Sequence, residues 1–167
     1  MAIRNVVTEG DEILRKKCRS VDKITERNLE LLDDMVETMR SKEGVGLAAP
    51  QVGVMRRMFV AEPEKDKVYY MINPEIIKTE GEQESEEGCL SVPGYIGTVK
   101  RPEKITVQAL DREGKKQTYE FKGFEAIVMC HENDHLDGIL YTDKAVNVHM
   151  PSDDEEDKNS QDEKNVK

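Results

Sequence analysis

The chain lacks the basic excess that a phosphate-binding protein draws on. Its 25 lysines and arginines are outnumbered by 35 aspartates and glutamates, a net charge of -10, which argues against a general or sequence-specific nucleic-acid binder. It also lacks any apolar stretch near the roughly 20 residues that span a bilayer, which sets membrane crossing aside. Met1-Ala2-Ile3-Arg4 carries none of the apolar run of a secretory signal. Cysteine is sparse and odd in number, with Cys18, Cys89 and Cys130 alone, so a disulfide framework is not expected and a reducing cytoplasm is. At 167 residues the chain can bury a core without such staples, as one domain.

Polarity changes sharply after Met150. Asp153, Asp154, Glu155, Glu156 and Asp157 run together and only Val166 beyond them could enter a core, so residues 1–150 read as the domain and 151–167 as a disordered acidic tail. Such a tail is either a solvated extension or a partner contact. Within the domain, Leu29, Leu32, Met35, Val36 and Met39 follow helical spacing, with Thr25 placed to cap the start and Gly44 the stop. Met58 to Val60, Val68 to Ile72, Lys104 to Leu110 and Gln117 to Phe121 are short β-type runs parted by turn residues such as Asp111 to Gly114. From Gly123 to Asp137 helical spacing returns, with Gly138 just past the end. Helix, strands and helix in that order, without an internal repeat, predict an α+β fold of mixed and antiparallel sheets around a central helix.

That last helix carries His131-Glu132-Asn133-Asp134-His135. A separation of four places both imidazoles on one face, one turn apart, where two nitrogens can point at one ion. Phe124, Ile127 and Val128 share that side, and burying two polar rings there costs roughly 1–3 kcal/mol for each unsatisfied group. A metal would supply the missing partner. The third ligand must come from elsewhere. Where metzincin proteases place a third His this chain has Tyr141, and Asp143 and His149 are the nearby alternatives. Cys89, in Glu87-Gly88-Cys89-Leu90-Ser91, is the better candidate, since a thiolate beside two imidazoles suits a divalent transition metal and Gly88 lets backbone approach closely.

Three segments together, Gly44-Val45-Gly46-Leu47-Ala48-Ala49-Pro50-Gln51, Glu87-Gly88-Cys89-Leu90-Ser91 and His131-Glu132-Asn133-Asp134-His135-Leu136, resemble the peptide deformylases. With Ile3-Arg4, Leu14-Arg15 and Asp137-Gly138 the likeness covers roughly residues 1 to 148. The resemblance implies a cytoplasmic enzyme of bacteria or organelles that removes the formyl group from formylmethionine on newly synthesised proteins. It implies Cys89, His131 and His135 as ligands of one ion, Fe2+ as the working metal with Zn2+, Ni2+ or Co2+ able to substitute, and a fourth position left for water. Glu132 would take the proton of that water and pass it to the departing amine. Gln51 and the backbone N–H of Leu90 would receive the charge that collects on oxygen. Val45, Gly46 and Gly88 would pair with substrate backbone, and Val45, Phe124, Ile127 and Val128 would receive the leading Met, a role that plain core packing would satisfy equally well. Glu87 and Arg101 would pair behind Cys89.

The sequence also departs from the family pattern. Cys130 stands where Gln is common, Glu125 where an apolar residue is common, and the acidic tail is unlike the basic helix by which some relatives dock on the ribosome. A monomer is expected, with at most transient ribosome contact. Two rival readings stay open on the residues alone: a metalloprotease, which needs peptide held on both sides of the bond, and a non-catalytic metal-binding protein, which has no use for Glu132 or Gln51.

Overall fold

The computed structural model describes residues 2–151. The tail expected over residues 151–167 lies outside them, Pro151 apart.

Helix α1 (Glu26–Ser41) starts where the sequence places it: the Asn28 N–H donates to Thr25 Oγ1 at 3.2 Å and the Thr25 N–H to Asn28 Oδ1 at 3.0 Å, which satisfies two otherwise orphaned donors. Its end differs from expectation. The left-handed residue is Glu43 (φ 57°), not Gly44, and Gly44 is needed for another reason: a Cβ there would lie 2.9 Å from Leu90 Cδ1. After α1 come β1 (Gly46–Ala48), β2 (Met58–Glu64) and β3 (Lys67–Glu80). They are followed by β4 (Gln83–Cys89), β5 (Val92–Arg101), β6 (Lys104–Leu110) and β7 (Lys116–Lys122), then helix α2 (Phe124–Leu136) and β8 (Val146–His149). All the strand pairs are antiparallel, in a five-stranded sheet ordered β1-β2-β3-β6-β7 and a three-stranded sheet ordered β4-β5-β8. The α+β expectation holds; the mixed sheet reduces to one isolated parallel bridge, Arg19 to Arg56.

The run Met58-Phe59-Val60-Ala61 is apolar without alternation because both faces of β2 are covered. Met58 and Val60 pack with Leu32, Met35 and Met39 of α1, whereas Phe59 and Ala61 pack with Ala126, Met129 and Leu136 of α2. β1 is split in the same way, with Leu47 toward α1 and Ala48 toward α2. Helix α2 is thus buried between β1 and β2 on one side and β5 and β7 on others, and few of its polar groups can reach water.

Two glycines delimit α2. Gly123 (φ 59°) turns the chain into it, and Gly138 (φ 75°) ends it, with the Gly138 N–H donating to His135 O and the Ile139 N–H to Asp134 O, the doubly bonded stop that favours Gly. A Cβ at Gly138 would lie 2.6 Å from the Arg15 carbonyl carbon, so the end of α2 is clamped against the N-terminal segment. That segment also donates from Cys18 N to Leu136 O at 2.8 Å. The fold therefore fixes α2, and the two histidines on it, at both ends.

Candidate metal centre

His131 and His135 lie one turn apart on α2, with ring centroids 5.0 Å apart and planes inclined at 72°. Cys89 reaches them from the end of β4, its Sγ 3.4 Å from His135 Nε2. One donor atom from each of Cys89, His131 and His135 lies within 4.8 Å of the other two. Asp143 and His149 do not join them: Asp143 pairs with Arg15 and accepts from the Leu140 N–H, and His149 pairs with Ile96 at the edge of the small sheet. Tyr141 is fully buried and stacks on the His131 ring at 6.0 Å.

Alternation along β4 turns Glu87 and Cys89 to the same face, and Glu87 does the orienting. Its carboxylate receives Arg101 Nε at 2.9 Å and Nη2 at 2.8 Å, accepts from Ser85 Oγ, and meets His131 Nδ1 at 2.8 Å. With Nδ1 turned to Glu87, Nε2 is the His131 nitrogen left to face Cys89 and to ligate an ion once its own proton is displaced. Arg101, 2% exposed, also donates to Asp134 Oδ2 at 2.7 Å, so one guanidinium ties β4, β5 and α2 together. Burial alone would raise the Glu87 carboxyl; the hydrogen bonds from Arg101 and His131 outweigh it and hold the carboxyl at about 2.

The donor set fits a divalent transition metal: one thiol and two imidazoles are tetrahedral-site ligands that leave a position open. Glu132 Oε1 is buried without a hydrogen-bond partner, 4.0 Å from the His135 Nε2 that faces Cys89, a cost that a positive charge at the site offsets. The two histidines titrate in opposite directions. Burial opposes charge on His131, but its hydrogen bonds to Cys89 and Glu87 raise it to about 10, whereas burial and the adjacent His131 hold His135 well below the ordinary range.

Glu132 is 4% exposed, and its Oε1 sits 4.0 Å from His135 Nε2. Burial raises its carboxyl to about 7. A Cβ on Gly46 would fall 2.4 Å from Glu132 Oε2 and 2.8 Å from its Cγ. Gly46, expected to serve a turn or the approach of substrate backbone, also leaves the space in which that carboxylate lies. Gln51 is 1% exposed; the Ala48 N–H at 2.9 Å fixes its Oε1, so its Nε2 faces Ser91 Oγ at 3.0 Å and Cys89 Sγ at 3.6 Å.

A cavity of about 840 Å³ opens onto the trio, lined by Val45, Gly46, Gln51, Gly88, Leu90 and Glu132 among others. Phe124, Ile127 and Val128 lie on its wall. Phe124 is 54% exposed, which corrects the expectation that this side of α2 is a buried apolar face: it borders a cavity, and plain core packing does not account for Phe124. Sequence reasoning missed the part played by β5, whose Pro93, Gly94 and Tyr95 form the rim opposite an irregularity in the β4–β5 register between Glu87 and Cys89. Such irregularities re-aim side chains, and the Pro-Gly pair within the run is the signal that could have found it. Of the two departures from the family pattern, Cys130 is buried and Glu125 accepts from Tyr69 Oη at 3.3 Å; neither lines the cavity.

Gly46→Ala is expected to lower kcat about 100-fold by displacing Glu132 while metal content is retained, as steady-state kinetics and metal analysis would read. Glu87 gives a pH dependence of stability in the metal-free protein. Its folded value of about 2 lies below the ordinary 4.5, so its contribution is complete above pH 4.5 and is lost as pH falls through 2. Urea unfolding should find Glu87→Gln less stable at pH 7, with that gap reduced by about half at pH 3.

Comparison with known proteins agrees with this geometry. Residues 3–150 match the Polypeptide deformylase family profile. The chain is 56% identical over 146 residues to a peptide deformylase of Acetivibrio thermocellus, covering 87% of this chain and 85% of that one. It is 52% identical over 158 residues to one of Symbiobacterium thermophilum, covering 93% and 73%. The fold matches the crystal structure of the Thermotoga maritima peptide deformylase with a TM-score of 0.85 at 36% identity, over 87% of this chain and 99% of the other. A peptide deformylase from Legionella pneumophila matches with a TM-score of 0.84 at 44% identity, covering 87% and 88%. These likenesses remove the protease and metal-storage readings, and the chain belongs to the polypeptide deformylase family of metal-dependent hydrolases.

Proposed function

We propose that Cys89, His131 and His135 hold one divalent ion, beside which Glu132 moves the proton as the enzyme removes the formyl group from the N-terminal methionine of nascent proteins. The observation that carries this reading is the meeting of three donor atoms within 4.8 Å with a buried, unpartnered Glu132 oxygen alongside. Fe2+ is the working metal in this reading, with Zn2+, Ni2+ or Co2+ able to take its place; a sulfur donor with two imidazoles supports a borderline transition ion over Mg2+ or Ca2+. When bound, such an ion supplies Lewis acidity, lowering the pKa of water and polarising a carbonyl.

Glu132 accepts the proton of the attacking water and returns it to the amine as the C–N bond breaks. A carboxyl raised to about 7 suits both directions of transfer near neutral pH. Charge gathers on the former formyl oxygen, and the Gln51 amide, already locked by Ala48 and Ser91, points an N–H toward the Cys89 edge of the site without reorganising. The Leu90 N–H is its partner donor. Val45, Gly46 and Gly88 lie along the peptide's path, and Val45, Phe124, Ile127 and Val128 take the methionine side chain, a use supported by their place on the cavity wall. Residues 1–150 form the catalytic unit and 151–167 an acidic extension. We place the enzyme as a monomer in the bacterial cytoplasm, a reading supported by three free cysteines and by relatives from bacteria.

Formate release tests this. Protein purified without oxygen and supplied with ferrous iron should release formate rapidly from a formyl-Met peptide and leave an acetyl-Met peptide intact. Glu132→Gln should keep its metal and lose turnover by at least about 100-fold; equal formate release by that variant would overturn its role.

A further inference from the structure

Tyr141 adjoins the metal centre without lining the cavity, and it is 1% exposed. It therefore cannot touch substrate. Its ring nonetheless lies close to parallel with that of His131, centroids 6.0 Å apart and planes inclined at 24°, an offset stack within the range that aromatic pairs favour. Leu14, Val92, Val99 and Leu140 share one apolar cluster with it, and Cys89 packs against the same cluster. Within this layer the Tyr141 hydroxyl is buried with no hydrogen-bond partner among the described residues. A buried donor left unpaired is a cost, so the hydroxyl does not account for the position of the ring. The flat face of the ring does.

That face is held still. In the single turn Tyr141–Asp143 the Leu140 N–H donates to Asp143 Oδ2 at 3.1 Å, the Ala145 N–H donates to Tyr141 O at 2.9 Å, and Asp143 pairs with Arg15 at 2.6 Å. β5 closes on the turn because Gly97 has no side chain: a Cβ there would lie 2.9 Å from Ala145 Cβ and 3.4 Å from Tyr141 Cε2. His131 needs such a backing. Its Nδ1 meets Glu87 at 2.8 Å, which fixes one corner of the imidazole and leaves the ring free to tilt about that contact. A ligating lone pair on Nε2 lies in the ring plane, so tilt swings it away from an ion. His135 does not prevent this, since its ring meets His131 at 72°; a nearly parallel ring does.

We propose that Tyr141 is a positioning residue of the metal centre: its ring, and not its hydroxyl, sets the tilt of His131, as Glu87 sets the direction of Nδ1. The inference rests on the reading that Cys89, His131 and His135 hold one ion. It sets Tyr141 apart from Val99, which is fully buried in the same cluster and whose role is packing.

The test titrates the full-length, metal-free protein with Co2+ without oxygen, beside Tyr141→Phe, Tyr141→Met and Val99→Ala. Tyr141→Phe keeps the flat face, Tyr141→Met keeps the bulk without it, and Val99→Ala loosens the same layer away from His131. Tyr141→Phe should match the parent in Co2+ affinity and visible bands. Tyr141→Met should bind Co2+ at least about 10-fold more weakly, with altered bands. Loaded with Fe2+, it should lose kcat while KM for a formyl-Met peptide holds. Val99→Ala should unfold at lower urea yet bind Co2+ as the parent does. Should Tyr141→Met not fold, Tyr141→Leu is read in the same way. Affinity and bands like the parent's in Tyr141→Met or Tyr141→Leu would overturn the proposal, as would equal weakening in Val99→Ala or in Tyr141→Phe. A parent that binds no Co2+ counts instead against the three-ligand centre itself.

Discussion

Arg101 is the interaction on which the site depends. Its guanidinium is buried, and it spans Glu87 on β4 and Asp134 on α2 from its own place at the end of β5. Through Glu87 it sets the tautomer and direction of His131; through Asp134 it fixes the turn of α2 between the two histidines. Three charges taken out of water are expensive, and removing one partner of such a set typically costs about 3–5 kcal/mol because the others stay buried. The network is therefore weak as a source of net stability and strong as a source of orientation. Burial disfavours charge on Arg101, but its two carboxylates outweigh that and raise its pKa above the ordinary value, so it stays a cation.

The same burial explains why unpartnered polar atoms gather at the proposed centre. Helix α2 is covered on several sides, so each polar atom on it must find a partner within the protein or at the cavity. His131 Nδ1 finds Glu87, while His135 Nδ1 and Glu132 Oε1 find none. Three candidate donor atoms, a carboxyl raised by burial and a fixed amide then occupy one small volume beside the cavity. Gly46 makes this possible by having no side chain where the Glu132 carboxylate lies.

Much of this was legible in the residues. The i, i+4 histidines gave the helix face, Thr25 gave the start of α1, and the β6–β7 hairpin followed from two β-type runs parted by the Asp111 to Gly114 turn, where Asp111 Oδ1 accepts from the Glu113 and Lys115 N–H groups. Cys89 was found by its chemistry and its family context, since no local pattern says that a residue 46 positions upstream will meet His135. β1 and β8 went unseen because three or four residues carry no period, and β5 because Pro93 and Gly94 break its pattern at the rim. The exposure of Phe124 was illegible for a different cause: apolar residues lining a cavity and apolar residues filling a core share the same spacing. Gly46's service to Glu132 is a tertiary contact across some 86 positions, and only coordinates reveal it.

Cobalt substitution tests the central claim most directly. Anaerobic titration of the metal-free protein with Co2+ should show one equivalent bound, with intense visible bands of a low-coordinate ion and a near-ultraviolet sulfur-to-metal band that Cys89→Asp abolishes. Weak, six-coordinate bands, or a sulfur band that survives in Cys89→Asp, would contradict a centre built from Cys89, His131 and His135.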